Sequence, residues 1–165
     1  MQVLIRQARL ADMKEFVASA KSSQSLHRPW VNAPDTSAKF KAWLKRMQPP
    51  DNFAFLVCRK HDQAIAGVVN VSNIVRGLFH SGYLGYYAFE GFAQQGLMRQ
   101  GLNAVVHHCF RVMRLHRLEA NIQPGNVASI ALVKSCGFVR EGFSPRYLKI
   151  GGRWRDHERW AILAS

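Results

Sequence analysis

One segment constrains the fold of this chain more than any other: a strand-like run that leads through a turn into a long helix. An apolar, aromatic run from Tyr83 to Phe89 is followed by the turn Gln94-Gln95-Gly96 and by apolar residues at helical spacing. The first backbone N–H groups of a helix have no partner within it, and the helix dipole places partial positive charge there. A glycine at such a turn lets the backbone approach a ligand that a Cβ atom would block. The segment predicts a phosphate-binding turn, although an ordinary strand-to-helix turn would carry the same glycine.

The composition limits the class of protein and of partner. A length of 165 residues suffices for one domain, spanning residues 1–165, with a sizeable core. There are 23 Lys and Arg against 10 Asp and Glu, a formal net charge of +13. This excess favours polyanionic partners such as nucleic acid, the ribosome, an acidic protein or a phosphorylated cofactor. A solvated basic surface would have the same composition.

The cysteines and the N-terminal residues indicate a compartment. Cys58, Cys109 and Cys136 lie in apolar runs, and none belongs to a Cys-x-x-Cys pair. Free, buried thiols in a reducing compartment fit this pattern. The sequence shows no signal peptide and no apolar run of membrane-spanning length, so a cytoplasmic protein without a membrane partner is expected.

Hydrophobic periodicity predicts seven strands and four helices in the order β-α-α-β-β-β-α-β-α-β-β. The strands are expected at residues 3–9, 52–60, 64–74, 81–89, 117–123, 138–143 (or to 150) and 154–163. The helices are expected at residues 11–20, 37–47, 96–113 and 125–135, and residues 22–36 have an irregular pattern. This order predicts an α/β fold with a mixed sheet and helices on both faces.

Three groups of residues carry a resemblance to a known family. They are Leu84-Gly85-Tyr86 with Gln95-Gly96-Leu97-Met98; His116 to Asn121 with Pro124, Asn126 and Ser129; and Gly137-Phe138 with Glu141-Gly142, Tyr147-Leu148, Ile150 and Trp154-x-Asp156-His157. In this order, and with Leu26-x-Arg28-Pro29-Trp30 in the first loop, the chain resembles the GNAT acetyltransferase superfamily. Within it, the chain looks most like the Rim-type enzymes that acetylate the N-terminal alanine of ribosomal proteins. The resemblance implies a twisted, mostly antiparallel sheet of about seven strands flanked by four helices.

The resemblance also implies acetyl-CoA as the cofactor. Its pyrophosphate would lie on the turn and helix start, and its pantetheine arm along the strand before them. A β-bulge in that strand would aim an unpaired N–H at the thioester carbonyl. The implied residues are Tyr86, Tyr87, Ala88, Phe89, Gln94, Gln95, Gly96, Leu97, Met98, Arg99, Asn126 and Ser129. Ordinary aromatic packing is the alternative for the two tyrosines.

The turn departs from the family pattern. The family has Gln or Arg three residues before the glycine, often followed by Gly, where this chain has Ala93 and Gln94. The departure removes a side-chain contact, but the anion site consists mainly of backbone N–H groups. Cofactor binding is therefore expected to survive.

The catalytic residues are less clearly marked. Asn126 and Ser129 fall at a helix start, where both residue types also serve as caps. The resemblance implies that Asn126 bonds the pantetheine arm and that Ser129 protonates the departing thiolate, since the tyrosine that many relatives use is absent from Leu132-Val133. Glu119 is the candidate for a water-mediated general base, and a salt bridge with Arg117 is its alternative.

Two further groups concern the acceptor and a metal. The resemblance implies an acceptor groove walled by Trp30, Tyr147, Trp154 and Asp156, with ion pairing of Asp156 to a neighbouring arginine, Arg146 or Arg153, as the alternative. The run His107-His108-Cys109 has metal-ligating residue types. Adjacent helical residues point about 100° apart, however, so no metal site is expected.

These inferences favour an acetyl-CoA-dependent N-acetyltransferase that acts by direct transfer on the N-terminal alanine or serine of a ribosomal protein. An α-amine has an ordinary pKa of about 7.7–8.0 and lysine one of about 10.4, so a site with a weak base suits an α-amine better. One alternative is a small amine such as a polyamine, aminoglycoside or amino acid, and the net charge of +13 disfavours a cationic one. The other is a non-catalytic module that binds RNA or the ribosome. The sequence leaves open the choice between monomer and homodimer, and any contact with rRNA.

Overall fold

Seven strands form one sheet in the order β1-β2-β3-β4-β5-β7-β6 in the computed structural model, which describes residues 1–165. The strands are β1 Val3–Gln7, β2 Phe53–Arg59, β3 Ile65–Val75, β4 Ser81–Ala88, β5 Arg117–Ile122, β6 Val139–Ile150 and β7 Arg153–Leu163. The helices are α1 Met13–Ser22, α2 Gln24–His27, α3 Ser37–Arg46, α4 Leu97–Arg111 and α5 Val127–Ser135. The predicted α/β fold is confirmed. The additional helix, α2, is a single turn, too short for apolar periodicity to reveal.

The sheet is covered on both faces because its central strands alternate two sets of apolar side chains. In β2, Phe55 and Val57 belong to the core under α4, whereas Leu56 and Cys58 belong to the core under α1 and α3. Gly101 lets α4 lie directly on the sheet, since a Cβ atom there would collide with Val57. None of the helices combines the length and apolar character needed to cross a membrane.

The sheet splits open at its one parallel pair of strands. The β4–β5 pairing runs from Ser81 opposite Arg117 to Leu84 opposite Ala120 and ends there. Beyond this point β4 pairs only with β3, as far as Ala88 opposite Gly67, while β5 pairs only with β7. The opening exposes one backbone edge of β4 and forms a cleft at the centre of the molecule.

Strand β4 has no bulge, so the expectation of one is wrong. Its pairing with β3 is uninterrupted from Gly67–Ala88 to Ser72–Tyr83, and the register shifts only between Ser72 and Val75. The extra residue therefore lies on β3, near Asn73, whose φ of 52° is in the left-handed region. The free edge of β4 results from the divergence of β5 rather than from a bulge.

Candidate active site

Two connected cavities occupy the cleft between β4 and β5. The helix-side cavity, about 460 Å³, lies between the end of β4, the turn before α4, and α5. The hairpin-side cavity, about 510 Å³, lies between the start of β4, the end of β5, and the β6–β7 hairpin. Their linings share Trp30, Val31, Tyr86, Asn126 and Ser129, so these residues mark the point where the cavities meet.

The turn before α4 presents free backbone donors to the helix-side cavity. Gln94 and Gly96 both have positive φ, 61° and 74°, and Gly96 is the N-cap. The first helical hydrogen bond runs from Gln100 N–H to Gly96 O at 3.2 Å. The N–H groups of residues 97–99 therefore have no partner within the helix, and all three residues line the cavity. This end of α4 can hold an anion.

The open edge of β4 supplies a second row of donors. Phe89 N–H bonds to Ala66 O on β3 at 2.9 Å, and antiparallel pairing alternates the direction of successive residues. The N–H groups of Tyr86 and Ala88 therefore point away from β3, towards the cleft. An extended chain laid in the cleft can pair with them as an added strand.

Ten of the twelve residues expected to contact the cofactor line this cavity. The exceptions are Phe89, which is 1% exposed and packs on Phe16 in the opposite core, and Gln95. The side chain of Gln95 bonds to Gly91 O at 2.7 Å and so braces the turn. Strand alternation explains the position of Phe89, because its side chain points to the other face from that of Ala88.

A hydroxyl pair lies where the two cavities meet. The Tyr86 hydroxyl is 2.8 Å from Ser129 Oγ, and Asn126 Oδ1 accepts the Ser129 N–H at 3.3 Å. Asn126 therefore caps α5, the alternative that its position suggested. Burial raises the pKa of the Tyr86 phenol, so this group keeps its proton at neutral pH. The pair can deliver a proton to a ligand atom at the junction of the cavities.

Trp30, in the segment after α2, lines both cavities and reaches the loop between β5 and α5. Its Cη2 atom lies 3.0 Å from the position that a Cβ of Gly125 would take, in the loop between β5 and α5. Nearby, His27 Nε2 donates to Ala88 O at 2.7 Å and ties α2 to β4. Burial lowers the pKa of His27, which keeps the ring neutral.

Two of the four residues expected to wall the acceptor groove line a cavity. Trp30 and Tyr147 line the hairpin-side cavity, but Trp154 and Asp156 do not. Trp154 is 61% exposed. Asp156 accepts a hydrogen bond from the backbone N–H of Arg146 at 2.8 Å. It therefore contacts one of the two arginines named in the alternative, through the backbone instead of through an ion pair. His157, which was not among the expected site residues, lines the cavity and is 2% exposed. The only available signal was strand alternation, which puts His157 on the opposite face from Asp156.

Glu119 lies outside both cavities. It pairs with Arg117 at 3.1 Å, and Arg117 Nη1 also donates to Glu141 Oε2 at 3.0 Å. The salt bridge that was the alternative to a base is therefore present. The Arg117 hydrogen bond also lowers the pKa of Glu141.

No Asp or Glu lines either cavity. The three cysteines are free and buried as expected, and burial raises the pKa of Cys136, so its thiol is not an activated nucleophile. No three His, Cys, Asp or Glu side chains lie close enough together to hold a metal ion.

Comparisons with known proteins give the chemistry for this geometry. The sequence profile of the acetyltransferase (GNAT) domain matches residues 2–139. The ribosomal protein uS5-alanine N-acetyltransferase of Escherichia coli (strain K12) is 36% identical over 143 residues, 82% of this chain and 74% of that protein. Mycobacterium smegmatis RimJ, solved in complex with CoA-disulfide, superimposes with a TM-score of 0.90 at 25% identity, covering 98% of this chain and 82% of that one. A Vibrio cholerae spermidine N(1)-acetyltransferase is 31% identical over 71 residues, 43% of this chain and 41% of that protein.

Proposed function

The chain belongs to the GNAT family of acetyltransferases and is an N-acetyltransferase that uses acetyl-CoA, and from that premise we propose that its acceptor is the N-terminal α-amine of a protein. Alanine or serine is the proposed first residue, and a ribosomal protein is the proposed acceptor class, as for the Escherichia coli relative. Because the chain is an N-acetyltransferase, a non-catalytic module that binds RNA is not its main function.

The cofactor fits the helix-side cavity through backbone donors. The N–H groups of residues 97–99 suit the pyrophosphate, and the open edge of Tyr86 and Ala88 suits the amides of the pantetheine arm. Asn126 keeps its amide nitrogen for the same arm, because only its oxygen is used in capping α5. Bound acetyl-CoA supplies the acetyl group as an activated thioester.

Proton delivery to the sulfur falls to Ser129 in this proposal. Ser129 Oγ lies at the junction of the cavities and is backed at 2.8 Å by Tyr86, which keeps its proton. A cleft-facing N–H of β4 would stabilise the negative charge that develops on the thioester oxygen. These groups assist the attack of a neutral amine without a covalent enzyme intermediate.

The observation that carries the choice of acceptor is the absence of carboxylates from both cavity linings. A polyamine carries several positive charges, which need acidic partners when they leave water. Its approach is also slowed by a protein with a net charge of +13. A single α-amine on an extended chain needs no such partner, so the likeness to the spermidine enzyme over part of the chain is weaker support for a polyamine.

The test is a comparison of kcat/KM across acceptors with acetyl-CoA held saturating. The panel contains peptides that begin with alanine, serine or lysine, free alanine, spermidine and an aminoglycoside. We expect the alanine and serine peptides to exceed every small amine by at least about tenfold. A higher kcat/KM for spermidine or the aminoglycoside would contradict the proposal.

A further inference from the structure

We propose that His157 accepts the proton that the acceptor amine releases, an inference that rests on the α-amine chemistry proposed above. Glu119, the base suggested by the sequence, is paired with Arg117 and lies outside the cavities. The hairpin-side cavity contains no Asp or Glu, and His157 is the one histidine in its lining. Histidine is the side chain whose ordinary pKa best suits proton exchange at neutral pH.

The hydrogen bonding of His157 orients the ring for this role. Nδ1 lies 2.8 Å from Arg155 O, and a carbonyl oxygen can only accept, so Nδ1 carries the hydrogen. In the neutral ring, Nε2 then bears the lone pair. The backbone bond holds this tautomer without the help of a carboxylate.

Nε2 of His157 remains in contact with the cavity although the ring is nearly buried. It has no hydrogen bond within the protein. The fully enclosed side-chain polar atoms that lack a partner belong to Trp43, Asn70, Tyr87 and Trp160, so Nε2 of His157 is not fully enclosed. The small surface that the ring retains therefore faces the cleft, where it lines the hairpin-side cavity.

No Asp or Glu lines the cavity beside His157. Glu119 interacts with the cavity-lining Tyr83 from outside the cavity, and it is paired with Arg117. On β6, Ser144 is the strand partner of His157 and the Tyr147 ring is 6.3 Å away. Neighbouring strands contribute Tyr83 from β4 and Asn121 and Gln123 from β5 to the same cavity. On its own strand, alternation puts Arg155 and Arg159 on the same face, and Arg159 donates to Ser144 Oγ at 3.0 Å.

The proton and bond changes balance with groups already described. The amine nitrogen forms a bond to the acetyl carbon, the carbon–sulfur bond breaks, and the nitrogen loses one proton to Nε2 of His157. The sulfur takes a proton from Ser129 Oγ, which regains one from the Tyr86 hydroxyl, and solvent restores both groups after release. If the amine arrives as an ammonium ion, its first proton leaves by the same nitrogen, Nε2, and passes to solvent before the attack. With ordinary pKa values, this transfer from an α-ammonium to an imidazole is unfavourable by only about 20-fold, against nearly 10⁴-fold for a lysine ammonium.

The experiment measures kcat/KM for an alanine-starting peptide from pH 5.5 to 9 in wild type, His157→Gln and His157→Ala. His61→Gln is the matched control, because His61 is an exposed histidine outside the cleft. We expect both His157 variants to lose about 10²- to 10⁴-fold in kcat/KM, the range typical of a positioned base. Their acetyl-CoA affinity is expected to be unchanged. Protonation of the acceptor amine lowers kcat/KM at acid pH in every variant, so the acid side of the profile is expected to become shallower in the His157 variants without disappearing. Added imidazole is expected to restore part of the activity of His157→Ala.

Two outcomes overturn this role. One is kcat/KM within about threefold of wild type in His157→Gln. The other is a uniform loss that keeps the wild-type pH profile and does not respond to imidazole, which would mark His157 as structural. His157→Asn provides a second truncated side chain for the imidazole experiment if His157→Ala fails to fold. A wild type that acetylates no peptide would instead contradict the proposed function, so the two failures are distinguishable.

Discussion

At the residue scale, the hydroxyl pair of Tyr86 and Ser129 is the feature of the cleft most directly tied to chemistry. The two oxygens are 2.8 Å apart at the point where the cavities meet. Ser129→Ala removes the group nearest the sulfur but leaves the N-cap of α5, because the cap uses the Ser129 backbone N–H. We expect kcat to fall about a hundredfold, the low end of the range for a positioned acid, since a thiolate leaves readily. Steady-state kinetics with acetyl-CoA binding measured in parallel checks this.

Ser135→Ala is the matched control for this prediction. Ser135 lies on the same helix, and its hydroxyl bonds only within that helix region, to Leu132 O at 2.7 Å and weakly to Cys136 Sγ. Its removal is expected to leave kcat unchanged. An undiminished kcat in Ser129→Ala would remove Ser129 from the mechanism.

Some of these proposed site residues could be found from the sequence and others could not, for identifiable reasons. Ser129 and Asn126 were found because helix-start residues follow a local pattern. The pairing of Ser129 with Tyr86 was not, because the two residues are 43 positions apart. His157 was missed since its place in the cleft depends on the pairing of β7 with β5 and β6, which strand alternation does not reveal.

At the scale of elements, the turn before α4 is the part of the site most open to a direct test. Gly96 has a φ of 74°, and a Cβ there would meet nothing within 4 Å. Gly96→Glu would place a carboxylate beside the free N–H groups of residues 97–99, where it would repel the cofactor phosphates and occupy their donors. We expect acetyl-CoA affinity to fall at least about a hundredfold in calorimetric titration.

Gly77→Glu controls for the backbone strain of that substitution. Gly77 has a φ of 64° in the turn between β3 and β4, and a Cβ atom there would also meet nothing within 4 Å. The residue lines neither cavity of the cleft. Its acetyl-CoA affinity is therefore expected to match wild type. Equal affinity in both variants would contradict the phosphate role of the turn.

The attachment of α2 to β4 predicts a dependence of stability on pH. Burial lowers the pKa of His27, so below the ordinary histidine pKa the unfolded chain binds a proton that the folded protein resists. Stability is therefore full above that value and is lost as the pH falls through it. His27→Gln can keep the hydrogen bond to Ala88 O without titrating.

Melting temperatures between pH 7.5 and 5 check this expectation. The fall of Tm on acidification should be smaller in His27→Gln than in wild type. Some fall should remain, because burial lowers the pKa of His108 in the same direction. An identical fall in wild type and variant would show that His27 does not contribute.

Most elements could be predicted because each carries its own periodicity. The positions of β4 and α4 follow directly from the spacing of apolar residues. The point where β4 and β5 part does not, since it depends on the pairing of strands far apart in sequence. The bulge was misplaced for the same reason: it lies on β3, where Asn73 adopts a positive φ.

At the scale of the whole molecule, charge and cleft chemistry point in the same direction. A net charge of +13 surrounds a cleft without a carboxylate in its lining, a combination that disfavours polycations and tolerates a single amine. The proton acceptor proposed for this cleft is a histidine, which matches an α-amine far better than a lysine side chain. Selectivity between these two amines is thus the central claim of the proposed function.

The most direct test uses one peptide that begins with alanine and contains an internal lysine. The wild-type protein is incubated with acetyl-CoA and this peptide, and tandem mass spectrometry locates the acetyl group. Acetylation of the α-amine, with the lysine side chain unmodified, is the predicted result. Acetylation of the lysine, or of added spermidine in preference to the peptide, would contradict it.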